Sequence, residues 1–223
     1  MKTLKIQASP RQQSGFTLVE IAIVLVIIGL LLGGVLKGQE LVNSAKVKNH
    51  VSDLKAVPLF VYGYQDKYKA LPGDDANARN HLGTAALEPG GGTRGNGTIE
   101  GNYNSTAATD ESVAFWQHVR LANLAAGSTD FTAPSSVVPT NADGGRIGIQ
   151  SKSPITDMTG SYFVCSDGIQ GKFAKQIDIT MDDGDTAKGS VRAMAAGYAG
   201  TQQAAVATTD IVESTTYTVC VSF

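Results

Sequence analysis

The stretch that decides the fold lies near the N-terminus, where residues 14–36 read SGFTLVEIAIVLVIIGLLLGGVL. From residue 16 to residue 36, glycines aside, every side chain is apolar except those of Thr17 and Glu20. A helix of this length rises about 31 Å at ~1.5 Å per residue, which matches the roughly 30 Å hydrocarbon core of a bilayer. The sequence therefore predicts a membrane-spanning helix over residues 16–36.

The residues before this helix predict its orientation. They contain Lys2, Lys5 and Arg11 and no acidic side chain, and positively charged flanks stay on the cytoplasmic side. We therefore expect residues 1–15 in the cytoplasm and the chain beyond Lys37 outside it. An ordinary signal peptide is the alternative. Its apolar region, however, is usually ~7 to 15 residues long and ends at an A-x-A-like site, which this run lacks.

The acidic residue in the span needs an explanation. A carboxylate at the centre of a membrane helix costs about 2.5 kcal/mol and less near its end, so Glu20 needs a cationic partner. The string SGFTLVE, residues 14–20, resembles the processing site of type IV prepilins and type II secretion pseudopilins. The resemblance implies that a membrane peptidase cuts between Gly15 and Phe16 and methylates the new amine of Phe16. It also implies that Glu20 meets the Phe16 amine of a neighbouring subunit during assembly.

An amphipathic stalk follows the membrane segment. Its stripe at spacings of three and four predicts a helix that continues to about residue 68; the members are Val47, Val51, Leu54, Pro58, Val61, Gln65 and Tyr68. Pro72 and Gly73 then mark its end. The predicted organisation is a leader removed on processing (1–15), a transmembrane or filament-core helix (16–36), a stalk helix (37–69) and a variable globular domain (70–223).

The predicted globular domain alternates turn-forming stretches with short apolar runs. Four runs predict antiparallel strands, at residues 146–150, 162–165, 190–194 and 216–221. Helical spacing predicts a helix over 110–126, with Asp110 as its cap and Trp116 as a core anchor, and a short helix through residues 169–181. The expected fold is α+β and pilin-like: a long N-terminal helix packed on a small antiparallel sheet with a short extra helix.

Two acidic stretches are candidate sites. We interpret Asp74 and Asp75 as solvated turn residues, with a metal site or an acid and base pair as the alternative. Asp182, Asp183 and Asp185 are weak candidates for a calcium loop, because hard cations take several oxygens from a few residues. The EF-hand pattern is absent, so an acidic turn is favoured. No cofactor is expected, and Ca²⁺ stays open as the alternative.

The two cysteines of the chain, Cys165 and Cys220, lie in two different predicted strands. Outside the cytoplasm a single bridge between them is favoured over two buried free thiols. The resemblance points the same way, since many type IV pilins close their C-terminal region with a disulfide.

Composition and motifs argue against other classes of function. The 223 residues carry 18 Lys+Arg against 20 Asp+Glu, a net charge of −2, so no broad cationic field favours nucleic acid. The glycine-rich stretch 88–109 lacks the ending of a phosphate-binding loop and is interpreted as a loop. The three histidines form no metal spacing, and no nucleophile elbow is present. An enzyme is therefore not expected.

The resemblance implies a structural subunit of a type IV pilus or type II secretion-like filament: a pilin, minor pilin or pseudopilin, classes that share the motif. The implied partners are prepilin peptidase/methylase, copies of itself and other pilins, the inner membrane and, indirectly, an assembly platform and its ATPase. The expected location is the bacterial inner membrane with a periplasmic C-terminal domain, and then a pilus, a periplasmic pseudopilus or an extracellular filament. The alternative is an uncleaved, single-pass periplasmic module that binds a ligand through its glycine-rich loop and acidic turns.

Overall fold

The computed structural model describes residues 16–90, 93–133 and 138–223. The chain divides into two compact units, Met1–Val42 and Asn43–Phe223. Helix α1, Leu18–Tyr68, contributes to both. The predicted leader, residues 1–15, lies outside the described residues.

The described part of the first unit, residues 16–42, is helical from Leu18 onward. Its large apolar side chains are between 46% and 90% exposed, so the described residues of this unit do not bury them. By length and composition this part of α1 is able to cross a membrane. The predicted apolar helix is confirmed.

In the second unit, the remainder of α1 buries one face. Its buried side chains are Val47, His50, Val51, Leu54, Val57, Pro58, Val61 and Tyr64. The spacing of three and four was predicted, but the predicted stripe lacked His50, Val57 and Tyr64 and included Gln65 and Tyr68, which are only half-buried. The helix ends at Tyr68 as expected, because Lys69 adopts the left-handed conformation with φ 56°.

The second unit also contains a four-stranded antiparallel sheet. Its strands are β1 (Ile147–Gln150), β2 (Phe163–Gln170), β3 (Val191–Ala195) and β4 (Thr216–Ser222), in the order β1-β2-β4-β3. All three pairings are antiparallel, which confirms the predicted sheet. Strand β2 runs five residues beyond its predicted end at residue 165, through an irregularity between Ser166 and Ile169.

Three further helices complete the unit: α2 (Ala78–Leu82), α3 (Glu111–Leu121) and α4 (Gly171–Met181). Helix α2 was not predicted. Helix α3 is shorter than the predicted 110–126, because Asn123 turns the chain with φ 61° and the Leu124 N–H donates to the Val119 carbonyl. Asp110 precedes α3 but makes no side-chain cap; its carboxylate accepts a hydrogen bond from Ser105 instead.

The alternation of side chains along the strands divides the core into layers. Val164, Val219 and Val221 belong to the large cluster that also holds buried apolar residues of α1, α3 and α4. Phe163, Cys165 and Cys220 point to the opposite face, where they pack with Ile155, Met158, Met194, Tyr103 and Tyr198. Trp116 lies in the large cluster and is 4% exposed, so its predicted role as a core anchor is confirmed.

Candidate functional site

The N-terminal end of α1 carries a reciprocal hydrogen-bonded cap. The backbone N–H and the hydroxyl of Thr17 donate to Oε2 of Glu20 at 2.7 and 2.8 Å. The Glu20 N–H donates in return to the Thr17 hydroxyl at 3.2 Å. This is the arrangement of a capping box, which pairs backbone donors that a helix N-terminus leaves open. It fixes the Glu20 carboxylate at the first turn, beside the start of the apolar helix.

The Glu20 carboxylate has no cationic partner within the described ranges 16–90, 93–133 and 138–223. The next acid along α1, Glu40, is already paired with Lys37 at 2.7 Å. Phe16, four residues before Glu20, is 85% exposed. An acid and an aromatic residue are thus presented together at the head of an exposed apolar helix.

The comparison with protein families addresses this same region. Residues 10–36 match the family model described as the prokaryotic N-terminal methylation motif. The chain carries the type IV pilin and pseudopilin signature. The match includes Gly15, Phe16 and Glu20, although Gly15 itself lies outside the described residues. No curated protein and no solved structure matches the chain.

With this signature, the architecture is α+β and pilin-like: a long apolar N-terminal helix and a small antiparallel sheet. The pilin signature is typical of a structural protein. The motif lies wholly within the N-terminal 36 residues, so the functional features of the second unit have to be established from its own geometry.

Cys165 and Cys220 form a disulfide bond. They stand directly opposite each other on β2 and β4, with their Cα atoms 4.1 Å apart, and both are fully buried. The bond therefore links two neighbouring strands at the centre of the sheet.

Asp74 is a buried carboxylate, 2% exposed, so its interpretation as a solvated turn residue is wrong. Its oxygens accept hydrogen bonds from the backbone N–H groups of Gly95, Asn96 and Gly97. Successive backbone N–H groups form an anion-binding concavity, and here the anion is the chain's own aspartate. The glycine-rich loop thus serves to anchor the turn after α1.

Asp75 is also buried, at 1% exposed, which corrects its interpretation in the same way. It accepts hydrogen bonds from the Tyr64 hydroxyl at 2.7 Å, His81 Nδ1 at 2.6 Å and the Asn77 N–H at 2.8 Å. Burial raises the pKa of Asp75, but the hydrogen bonds from His81, Tyr64 and Asn77 outweigh it, so the pKa is lowered. Asp75 therefore joins α1, α2 and the turn between them as a charged group.

A third carboxylate, Asp143, anchors α1 at its buried face. It accepts from Lys46 Nζ at 2.5 Å and contacts His50 Nε2 at 2.9 Å. Burial raises the pKa of Asp143, and the hydrogen bonds and charges of Lys46 and His50 lower it further than that, so the net shift is downward. The sequence indicated no partner for His50, because Asp143 lies 93 residues away.

Glu111 lies in the first turn of α3 and is 1% exposed. Its Oε2 accepts from the Glu100 N–H at 2.8 Å, while Oε1 has no hydrogen-bond partner. Burial is the main cause that raises the pKa of Glu111 to about 7; the Glu100 N–H opposes the shift and the charge of Asp74 adds to it.

In the acidic turn after α4, the three candidates for a calcium loop do not come together at one place. Asp185 is paired with Lys188 at 2.7 Å. Asp182 and Asp183 instead lie close to Asp178 of α4, which is 1% exposed. Burial, followed by the charges of Asp183 and Asp182, raises the pKa of Asp178 to about 6, although the Gly184 N–H lowers it. Asp178 was missed, although its position four residues after Ala174 places it on the buried face of α4.

Proposed function

We propose that this chain is a structural subunit, a pilin, minor pilin or pseudopilin, of a type IV pilus or a type II secretion-like filament. The observation that carries the proposal is the N-terminal methylation motif at residues 10–36, at the head of a helix whose apolar side chains are exposed. Such a helix is stable only in lipid or against similar helices. Membrane insertion and filament assembly provide these two environments in turn.

In this proposal, cleavage between Gly15 and Phe16 creates the groups needed for assembly. It removes three positive charges and leaves a chain of 208 residues with 15 Lys+Arg and 20 Asp+Glu. The methylated amine of Phe16 is then a cation at the edge of the apolar helix. Because both contacts from Thr17 end on Oε2 of Glu20, Oε1 is the oxygen that accepts from the amine of a neighbouring subunit. The low dielectric of a packed helical core strengthens this ion pair.

The proposed partners follow from this route. Prepilin peptidase/methylase processes the chain at the cytoplasmic face of the inner membrane, because residues 1–15 carry the positive charges. The second unit then lies in the periplasm, an oxidising compartment in which the Cys165–Cys220 bond is stable. Copies of the chain and other pilins form the filament, with an assembly platform and an ATPase acting indirectly.

The proposal is tested by substitution of Glu20. In E20Q the amide oxygen keeps the acceptor for the Thr17 cap but the negative charge is lost, whereas E20A loses both. Both variants are expected to be processed and inserted, and both to lower filament yield by at least about tenfold, because an unpaired cation in an apolar core is strongly unfavourable. Sheared filaments and processed membrane protein are quantified side by side.

The matched control is E40A, which removes an exposed acid of the same helix that is paired with Lys37. It should assemble like the wild type. Normal filament yield from E20Q and E20A would show that Glu20 has no part in assembly. Failure of all three variants to insert would place the defect in the membrane step instead.

A further inference from the structure

Helix α3 carries two buried hydrogen-bond donors, the indole Nε1 of Trp116 and the guanidinium Nε of Arg120. In the part of the chain that the structure describes, neither donor has an acceptor. The two residues are 4% and 8% exposed and lie one helical turn apart on the same face of α3. A buried donor without an acceptor is rare in native folds, because its separation from water is not compensated. Two neighbouring donors of this kind indicate that a ligand supplies the acceptor.

The guanidinium of Arg120 is also a buried charge. Its Nη1 donates to the Ser128 carbonyl at 3.0 Å, and the group lies 5.6 Å from the centre of the Phe131 ring. Among residues 16–90, 93–133 and 138–223, no carboxylate forms an ion pair with it. Burial lowers the pKa of Arg120, as expected of a cation that has no negative neighbour. An anionic group would stabilise this charge.

Trp116 and Arg120 line a common cavity of about 160 Å³ between α3 and the second half of α1. The apolar part of its wall consists of Ala56, Val57, Phe60, Ala125, Pro139 and Ile147. Ala126 also lines the cavity and is exposed, so solvent reaches it. Apolar walls with a few polar groups are typical of a site for a small molecule. A cavity of ~150 Å³ admits a molecule of the size of benzene.

The α1 side of this cavity contributes a carboxylate, that of Asp53. Asp53 is half-buried, and its carboxylate has no hydrogen bond or ion pair with the described residues. Burial raises the pKa of Asp53, although the charge of His50 opposes the shift. Arg120 and Asp53 thus line one cavity without pairing with each other. A ligand that satisfies both carries a negative and a positive group.

We propose that this cavity binds a small zwitterionic amino acid, with its carboxylate at Trp116 and Arg120 and its ammonium group at Asp53. The indole and the guanidinium are donors only, and a guanidinium pairs especially well with a carboxylate. The ionised carboxylate of Asp53 is an acceptor only and requires a donor, which an ammonium group provides. Inorganic phosphate fits less well, because Asp53 would repel it. L-Alanine has as many heavy atoms as benzene and therefore matches the volume of the cavity.

The bound amino acid would connect α1 to α3. The residues that line the cavity all belong to the second unit, Asn43–Phe223. Binding therefore stabilises the fold of this unit, because the walls of the cavity come together only in the folded chain. The site is independent of the N-terminal motif and of the proposed role in a filament.

The test is calorimetric titration of the full chain in detergent with L-alanine, together with thermal unfolding. The wild type is expected to bind one molecule per chain. Its unfolding midpoint should rise by roughly 5 to 10 °C at an L-alanine concentration a hundred times the Kd. Acetate and ethylamine, which each carry only one of the two charged groups, should bind at least about tenfold more weakly. W116F, which lacks the indole donor, and D53N, which lacks the negative charge, should each lower the affinity for L-alanine by about tenfold or more.

The matched control is D66N, which removes an exposed acid of the same helix that pairs with Lys69. It should bind L-alanine as the wild type does. The proposal is overturned by a wild type that does not bind L-alanine, by affinity that is undiminished in both W116F and D53N, or by an equal loss in D66N. Acetate that binds as tightly as L-alanine would show an adventitious ion only and would also overturn it. Because D53N changes a half-buried side chain, a folding defect in W116F would leave the test intact.

Discussion

At the residue scale, the burial of Glu111 makes the stability of the fold depend on pH. Its pKa is raised to about 7, first by burial and then by the charge of Asp74, whereas an unfolded glutamate titrates near ~4.3. Between these values the folded chain binds more protons than the unfolded chain. The free energy of unfolding therefore falls as pH rises through this window, by roughly 3 to 4 kcal/mol in total for this group.

We predict that E111Q flattens this dependence. Its side chain carries no charge at any pH, so its unfolding midpoint should fall less than that of the wild type between pH 5 and pH 8. Part of the slope should remain, because the pKa of Asp178 is raised to about 6. Thermal unfolding of the full chain in detergent measures both slopes. E213Q, a change at an exposed glutamate, should behave as the wild type; an unchanged slope in E111Q would contradict the assignment.

At the element scale, the turn after α1 depends on Gly73. Its φ is 91°, and its N–H donates to Nδ1 of the buried His118 at 3.0 Å. A Cβ at this position would lie 2.5 Å from the carbonyl oxygen of Glu111. Gly83 has a similar φ of 97° with no heavy atom within 4 Å of such a Cβ. Both glycines thus have a positive φ, but only at Gly73 would an added Cβ collide with another part of the chain.

This difference predicts two unequal alanine substitutions. G83A should destabilise the fold by about 1 to 3 kcal/mol through backbone strain alone, because few residues other than glycine adopt φ 97° with ψ 168°. G73A should cost about 3 kcal/mol or more, because overlap with α3 is added to the strain. The midpoints of thermal unfolding of the two variants give the comparison. Equal losses would show that the contact between this turn and α3 contributes nothing.

The same turn shows which elements the sequence allowed us to predict. Helix α1 and the four strands follow from local periodicity, so they were found with their approximate ends. The burial of Asp74 depends on N–H groups some 20 residues further along the chain. Asp143 meets His50 across 93 residues. Such partners leave no local pattern, which is why the aspartates were interpreted as solvated and no partner was predicted for His50.

At the scale of the whole molecule, the disulfide closes a loop of 55 residues between Cys165 and Cys220. Loop-closure entropy for such a length is about 4 kcal/mol in the chain-entropy model. We predict that the double variant C165A/C220A keeps the fold of the sheet but unfolds about 10 °C lower than the wild type. Non-reducing peptide mapping of the wild type should recover both cysteines in one linked fragment. Recovery of two free thiols from the freshly isolated native protein would contradict the prediction.

The assignment of function rests on a short part of the chain. The methylation motif occupies residues 10–36 and was recognisable from the sequence, because its glycine, aromatic residue and glutamate stand at fixed spacing before an apolar run. The three carboxylates at the end of α4, Asp178, Asp182 and Asp183, were recognised only in part. Asp182 and Asp183 are adjacent in sequence, whereas Asp178 lies one helical turn earlier and comes close to them in the folded chain. Asp185 does not belong to this group, and its carboxylate is paired with Lys188.

The central claim is that this chain is processed as a prepilin and retains its apolar helix. Intact-mass measurement with N-terminal sequencing, on protein extracted from bacterial membranes, tests it most directly. The account predicts a chain of 208 residues that begins at Phe16 and carries one additional methyl group on its amine. A chain that begins near Lys37, as after signal-peptide cleavage, or one that still begins at Met1, as in an uncleaved anchor, would contradict it.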